Sequence, residues 1–289
     1  MRLVRSPKLA ALAASASLAL AAGVPAGAAA APAAPVTSPS AVAAAAAAKK
    51  GFSLEWGTFR ADHKQAAQAL KRSGAMQRLV KLVNKRYVLP REIPVLFGDE
   101  LDQGPAYFPN VKLNDGTRLS FINFPGSFLT LEIAALGKEL EGTNAGITPT
   151  QAMIYANEFV VAHEIGHALV DQLDIPVTGR EEDAVDGFAA FLLNKSPNFG
   201  PRSAFTAALL FDAIANSRDL QEGDFADEHS LPEQRVYQFL CWTYGSDPKN
   251  FKVLIGEDGL PKERAGRCVD EWKQVNRSWG RLLAPFKRR

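Results

Sequence analysis

Histidine is scarce in this 289-residue chain, with four copies, and cysteine is scarcer, with two. Where so few residues fall therefore carries weight. An excess of either charge is also lacking, since 33 basic against 31 acidic residues give a formal net charge of +2. Arg2, Arg5 and Lys8 lie in a first stretch of 28 residues that holds no acid, and removing it takes the net charge from +2 to −1. A near-neutral remainder argues against nucleic acid as the main partner. No internal repeat runs through the chain. The apolar run Leu9 to Ala22 is too short and too rich in alanine for a membrane span. No cysteine follows that run, so a lipoprotein anchor is not expected, and the alternatives to a cleaved signal are an uncleaved anchor or an N-terminal helix.

What the N-terminus does hold is the pattern of an export signal. Met1 to Lys8 is basic, Leu9 to Ala22 is apolar, and Ala26-Gly27-Ala28 offers a small-residue cleavage site. Residues 1–28 are read as a signal peptide and 29–50, rich in Ala and Pro, as a linker with no fold of its own. The expected location is secreted, periplasmic or cell envelope, with no stable membrane span after signal removal. In that setting the lone pair Cys241 and Cys268 predicts one disulfide, between the helix of residues 231–244 and a helix near the C-terminus.

The folded part, residues 51–289, is read as one domain. Phe59 to Tyr87 carries apolar residues at helical spacing, with Gly74 as a break and Pro90 as the end. Ile93 to Phe97 and Arg118 to Phe124 are short, branched and aromatic, and Gly98-Asp99, Asn114-Asp115-Gly116 and Pro125-Gly126 punctuate them. They predict a small antiparallel sheet. From Thr148 onward the pattern is mostly helical, so the fold class is α+β.

The informative stretch opens at Thr148-Pro149-Thr150-Gln151, a capped helix start with proline at the first helical position. A helix follows to about Leu173, because Pro176 and Gly179 end it. It contains His163-Glu164-Ile165-Gly166-His167, an H-E-x-x-H motif. Residues four apart on a helix share a face, so two imidazoles can bind one zinc ion without distorting the backbone. Glu164 is offset around the helix and can reach a water on the metal as general base. The rival is a pair of hydrogen-bonded core histidines. Gly166 lets another element approach closely.

Catalytic zinc takes three protein ligands and a water. Position 173, six after His167, is leucine, which excludes the metzincin pattern. The next candidates lie in Arg180-Glu181-Glu182-Asp183-Ala184-Val185-Asp186, which opens a second helix. Glu182 is the expected third ligand, with Glu181 and Asp183 as alternatives. Asp186, one turn on, is expected to accept a ring N–H from a ligand histidine and fix its tautomer. Acids at a helix start also serve the helix dipole alone.

These two helical motifs resemble the gluzincin metallopeptidases. The string from Phe159 to Leu193, with Asp227-Glu228-His229-Ser230 and Glu233-Gln234-Arg235, resembles a bacterial metallopeptidase family. The resemblance implies a zincin-like fold and zinc-dependent peptide hydrolysis, with one Zn2+ per chain and a peptide or protein substrate. Fourteen residues separate His167 from Glu182, fewer than in the thermolysin-like branch. Specificity therefore does not carry over from there. In a gluzincin a downstream histidine donates to the tetrahedral oxyanion. His229 is the candidate, against the plainer reading of an exposed residue before a helix cap formed by Ser230 and Glu233. Arg235 and Tyr237 are weaker candidates, Trp242 and Tyr244 are expected in the core, and His63 on the surface.

The expected activity is thus a zinc metallopeptidase with His163, His167 and Glu182 on the metal, Glu164 as base and His229 beside them. By analogy of fold, the strand Arg118 to Phe124 would pair with substrate through its edge. Two rivals stand: a non-catalytic zinc protein of the cell envelope and a metal hydrolase that does not cleave peptides. Oligomeric state is not legible.

Overall fold

The computed structural model describes residues 50–143, 146–256 and 259–288. The expected signal peptide, and the expected linker apart from Lys50, lie outside the described residues. Four strands, β1 (Gly51–Trp56), β2 (Glu92–Phe97), β3 (Ala106–Lys112) and β4 (Arg118–Phe124), form one sheet in the order β1-β2-β4-β3.

That sheet is mixed, not wholly antiparallel. β1 pairs parallel with β2 and β2 with β4, and only β3 with β4 is antiparallel. The connection explains the first pair. Helices α1 (Lys64–Ser73) and α2 (Ala75–Arg86) lie between β1 and β2. They provide the long crossover that parallel strands need. Parallel strands covered on both faces read as apolar runs, and Ile93, Val95, Phe97, Ile122 and Phe124 are fully buried. β4 is consequently internal and has no free edge to offer a substrate. The edges belong to β1 and β3. β3 is irregular between Phe108 and Val111, where Pro109 lacks an N–H and Asn110 takes a φ of 53°.

Gly74, at a φ of 67°, divides the Phe59 to Tyr87 segment into α1 and α2. Six more helices follow among the described residues: α3 (Gly126–Leu140), α4 (Pro149–Leu173), α5 (Glu181–Leu193), α6 (Arg202–Asn216), α7 (Pro232–Ser246) and α8 (Lys262–Leu282). The sequence reading had no counterpart of α3, because Pro125-Gly126 reads as turn punctuation. Here Pro125 is its N-cap and Gly126 its first residue.

Helix α4 is the axis of the molecule. Thr148 Oγ1 accepts the Gln151 N–H at 3.2 Å, and Gln151 Oε1 accepts the Thr148 N–H at 2.9 Å. Asp174, left-handed at a φ of 50°, closes the other end. The helix packs against α3, α5, α6 and strands β3 and β4, so it is apolar on nearly every side. A buried helix can expose polar groups only where a neighbour leaves a gap.

Helix α7 departs from expectation at both ends. Leu231 is its N-cap, and Gln234 accepts the Leu231 N–H at 3.1 Å, so the expected box of Ser230 and Glu233 does not form. Gly245 does not stop it. A Cβ there would sit 2.2 Å from the Cys268 carbonyl oxygen, so the glycine lets α8 cross in contact. That crossing holds the Cys241–Cys268 disulfide, with Cα atoms 5.0 Å apart. Beyond α8 the chain returns to the start of the fold. Phe286 O accepts the Val88 N–H at 2.8 Å, and Arg288 N donates to Arg86 O at 2.9 Å.

Candidate metal centre

His163 and His167 lie one turn apart on α4. A Cβ on Gly166 would be 2.8 Å from Val185 Cβ, so the glycine permits α5 to lie against this face. That contact sets the three acids at the start of α5 over the histidines. Glu182 turns inward, Asp183 is exposed, and Glu181 lies at the rim.

The Nε2 atoms of His163 and His167 are 3.2 Å apart. Glu182 Oε2 lies 3.1 Å from His163 Nε2, and Oε1 lies 3.2 Å from His167 Nε2. A third imidazole enters from the segment before α7, with His229 Nε2 3.0 Å from Glu182 Oε2. Ligand atoms of His163, Glu182 and His229 all fall within 4.8 Å of one another, and His167 joins through the other Glu182 oxygen. Glu164 is buried beside His163, and its charge acts on both helix histidines.

Behind each ring stands a carboxylate. Asp186 Oδ1 is 2.8 Å from His163 Nδ1, Glu181 Oε1 is 2.7 Å from His167 Nδ1, and Asp227 Oδ1 is 2.8 Å from His229 Nδ1. Asp186 is itself gripped by Arg235 at 2.7 and 2.8 Å. Burial alone would raise the Asp186 carboxyl, but Arg235 and His163 hold it below the usual range. It is therefore an ionised acceptor, and Nδ1 of His163 carries the proton. The same holds at His229, where Asp227 is lowered and also accepts the His229 backbone N–H at 2.8 Å. A neutral ring protonated at Nδ1 presents a lone pair at Nε2.

This arrangement is short of positive charge. Lone-pair nitrogens 3.2 Å apart beside a carboxylate repel one another unless a proton or a cation lies among them. Burial would push His167 down, yet its bonds to Glu181 and Glu182 and the charge of Glu164 raise it to about 10. His163 and His229 are raised as well, against the effect of burial, by their carboxylate partners. Glu182 is driven far below the carboxylate range by the three imidazoles, although burial opposes it. Glu182 Oε2 is buried and has no hydrogen-bond partner. A buried, unbonded carboxylate oxygen among imidazole nitrogens fits a metal ion.

The structure thus brings His163, His167, Glu164, Glu182, Asp186 and His229 together. Glu181, an alternative ligand in the sequence reading, serves instead as the partner of His167. Arg235 grips Asp186 and faces no reacting group, and Tyr237 lines a separate groove with Gln238 and Arg264. Trp242 is core, and Tyr244 packs against it. His63 is not on the surface. It is 4% exposed, and its Nδ1 meets Asp99 Oδ2 at 2.9 Å. The roles of Asp227 and Arg235 were missed. The D-x-H spacing was the one available signal for Asp227.

The fold is α+β, and its H-E-x-x-H helix carries part of a His/Glu/His cluster that could hold a metal ion. Residues 58–283 match the model of a family described as "Putative metallopeptidase", and the chain belongs to that family. Membership implies a metal cofactor and, in general terms, a peptidase role. None of the curated proteins and none of the solved structures matches the chain.

Proposed function

We propose that the chain is an exported zinc metallopeptidase of the gluzincin type, with His163, His167 and Glu182 as the metal ligands. The observation that carries this reading is the Glu182 carboxylate, 3.1 and 3.2 Å from the Nε2 atoms of the two motif histidines. Asp186 and Glu181 hold those rings in the ligating tautomer. Zinc bound there would supply Lewis acidity to water and to a peptide carbonyl. Glu164 accepts the water's proton as it attacks and returns it to the leaving amine. His229 faces the same space, with its Nε2 3.0 Å from Glu182 Oε2.

Export is supported by the signal pattern and by the Cys241–Cys268 bond. No helix of the described residues is long and apolar enough to cross a membrane. The substrate is a peptide or protein chain. β3 replaces β4 as the strand to pair with it, since β3 is an edge and Tyr107 fastens it to Asp171 on α4. Purified protein should carry about one zinc per chain. Glu164→Gln should keep the zinc while losing roughly 100- to 10,000-fold in peptide hydrolysis. Undiminished cleavage by that variant, or full zinc in a His163→Ala/His167→Ala double variant, would overturn the reading.

A further inference from the structure

We propose that His229 is a fourth protein ligand of the resting metal centre, and that it must leave before water or substrate can reach the metal. The inference rests on the metal site described above and concerns how that site is closed.

The geometry carries it. Four ligand atoms about 2.0–2.1 Å from a tetrahedral zinc lie about 3.3 Å from one another. The separations here are close to that edge, with Glu182 turning one oxygen to His167 and the other to His163 and His229: 3.2 Å between the helix histidines, 3.2 Å from His167 to Oε1, 3.1 Å from His163 to Oε2 and 3.0 Å from His229 to Oε2, with the His163, Glu182 and His229 atoms all within 4.8 Å of one another. His229 therefore stands no farther from Glu182 than the two motif histidines do. A group that waits for an oxyanion would be set back by the width of the substrate atom it serves.

The tautomer agrees. Asp227 Oδ1 accepts a hydrogen bond from the His229 Nδ1–H at 2.8 Å and holds the His229 backbone N–H as well. The neutral ring then offers Nε2 as a lone pair, which ligates and does not donate. His229 has the same support as the two motif histidines: a carboxylate on Nδ1, with Nε2 turned to the centre.

The attachment also distinguishes His229 from those two. His163 and His167 are fixed on a buried helix. His229 lies between α6 and α7, and its side chain is 43% exposed. Its carbonyl oxygen accepts from Arg180 Nη1 at 2.7 Å, and Arg180 is the N-cap of the helix bearing Glu182. Release of His229 from a metal held there would free one position, the open position a catalytic zinc requires, with His163, His167 and Glu182 left in place. No other ligand has to move.

The full chain, His229→Ala, His229→Gln and His163→Ala are compared, each loaded with zinc or with cobalt(II). Zinc affinity is read by chelator competition and the centre by the visible cobalt spectrum, with and without azide. His229→Ala and His229→Gln should bind zinc about 10- to 100-fold more weakly, with a changed cobalt spectrum that responds to azide. The unsubstituted chain should ignore azide, having no position to give it. Equal zinc affinity in both His229 variants, or an azide response in the unsubstituted chain, overturns the fourth-ligand assignment and leaves the three-ligand centre standing. If the unsubstituted chain binds metal no better than His163→Ala, the metal centre itself falls, and this inference with it.

Discussion

Asp186 shows how much one side chain can carry. It accepts from His163 on one side and from both arms of Arg235 on the other, and it is almost fully buried. Asp186→Asn should weaken zinc binding about 10- to 100-fold, because the ring loses its anionic acceptor. It should also destabilise the fold by about 3–5 kcal/mol, since Arg235 is left buried without its counter-charge. Glu181→Gln should cost less in both respects, because Glu181 is 45% exposed. Chelator competition and urea unfolding separate the two, and equal losses would contradict the difference in burial. The histidine pair and Glu182 were legible because helical spacing fixes which residues share a face. Arg235 was not, because its reach to Asp186 spans 49 positions and depends on how α7 meets α5. His63 was misread for a similar reason: its partner Asp99 comes from beyond β2.

At the scale of elements, α4 carries a burden besides the centre. Glu158 faces α6 and is buried against Ser203 and Arg202, and burial raises its carboxyl to about 7 despite Arg202. The folded chain thus holds a proton between pH 4.5 and about 7 that the unfolded chain has lost. Stability should fall as pH rises through that window, and the full cost should be present above it. Glu158→Gln should leave stability unchanged at pH 4 and add about 1–3 kcal/mol at pH 8. Urea midpoints that run parallel with pH in both proteins would rule this out. Glu132 on α3, fully buried and bonded to Asn157, is shifted in the same direction. Helix α4 was legible from its capped proline start and the Pro176 and Gly179 beyond its end, and α7 from the pattern of Ser230 and Glu233, one residue before the cap that forms. β3 was not, because Pro109 and Asn110 break its alternation, and the parallel pairing of β1 with β2 depends on a crossover that periodicity does not encode.

For the whole molecule, one cross-link, the disulfide, joins distant parts, and the proposed metal would add a second. The disulfide closes a separation of 27 residues between α7 and α8. Its loss in a Cys241→Ser/Cys268→Ser variant should cost about 3–4 kcal/mol. A metal held by His163, His167, Glu182 and His229 would join α4, α5 and the segment before α7. Stripping it should lower the melting temperature further, and a hundredfold excess of zinc over its Kd is worth about 2.7 kcal/mol. Melting curves of oxidised and reduced protein, with and without chelator, test both. A chelator without effect on melting would mean that no metal links these elements.

The return of the chain onto its own beginning has a consequence for when the molecule can finish folding. Arg288 Nε donates to the carbonyl oxygen of Asn84 across a separation of 204 positions. Peptide synthesis at about 5–20 residues per second puts roughly 10–40 s between those two residues. Through that interval the link from α2 to β2 lacks the partners that Phe286 and Arg288 bring to it. The fastening of the first elements by the last residues is thus completed only after nearly the whole chain has been made.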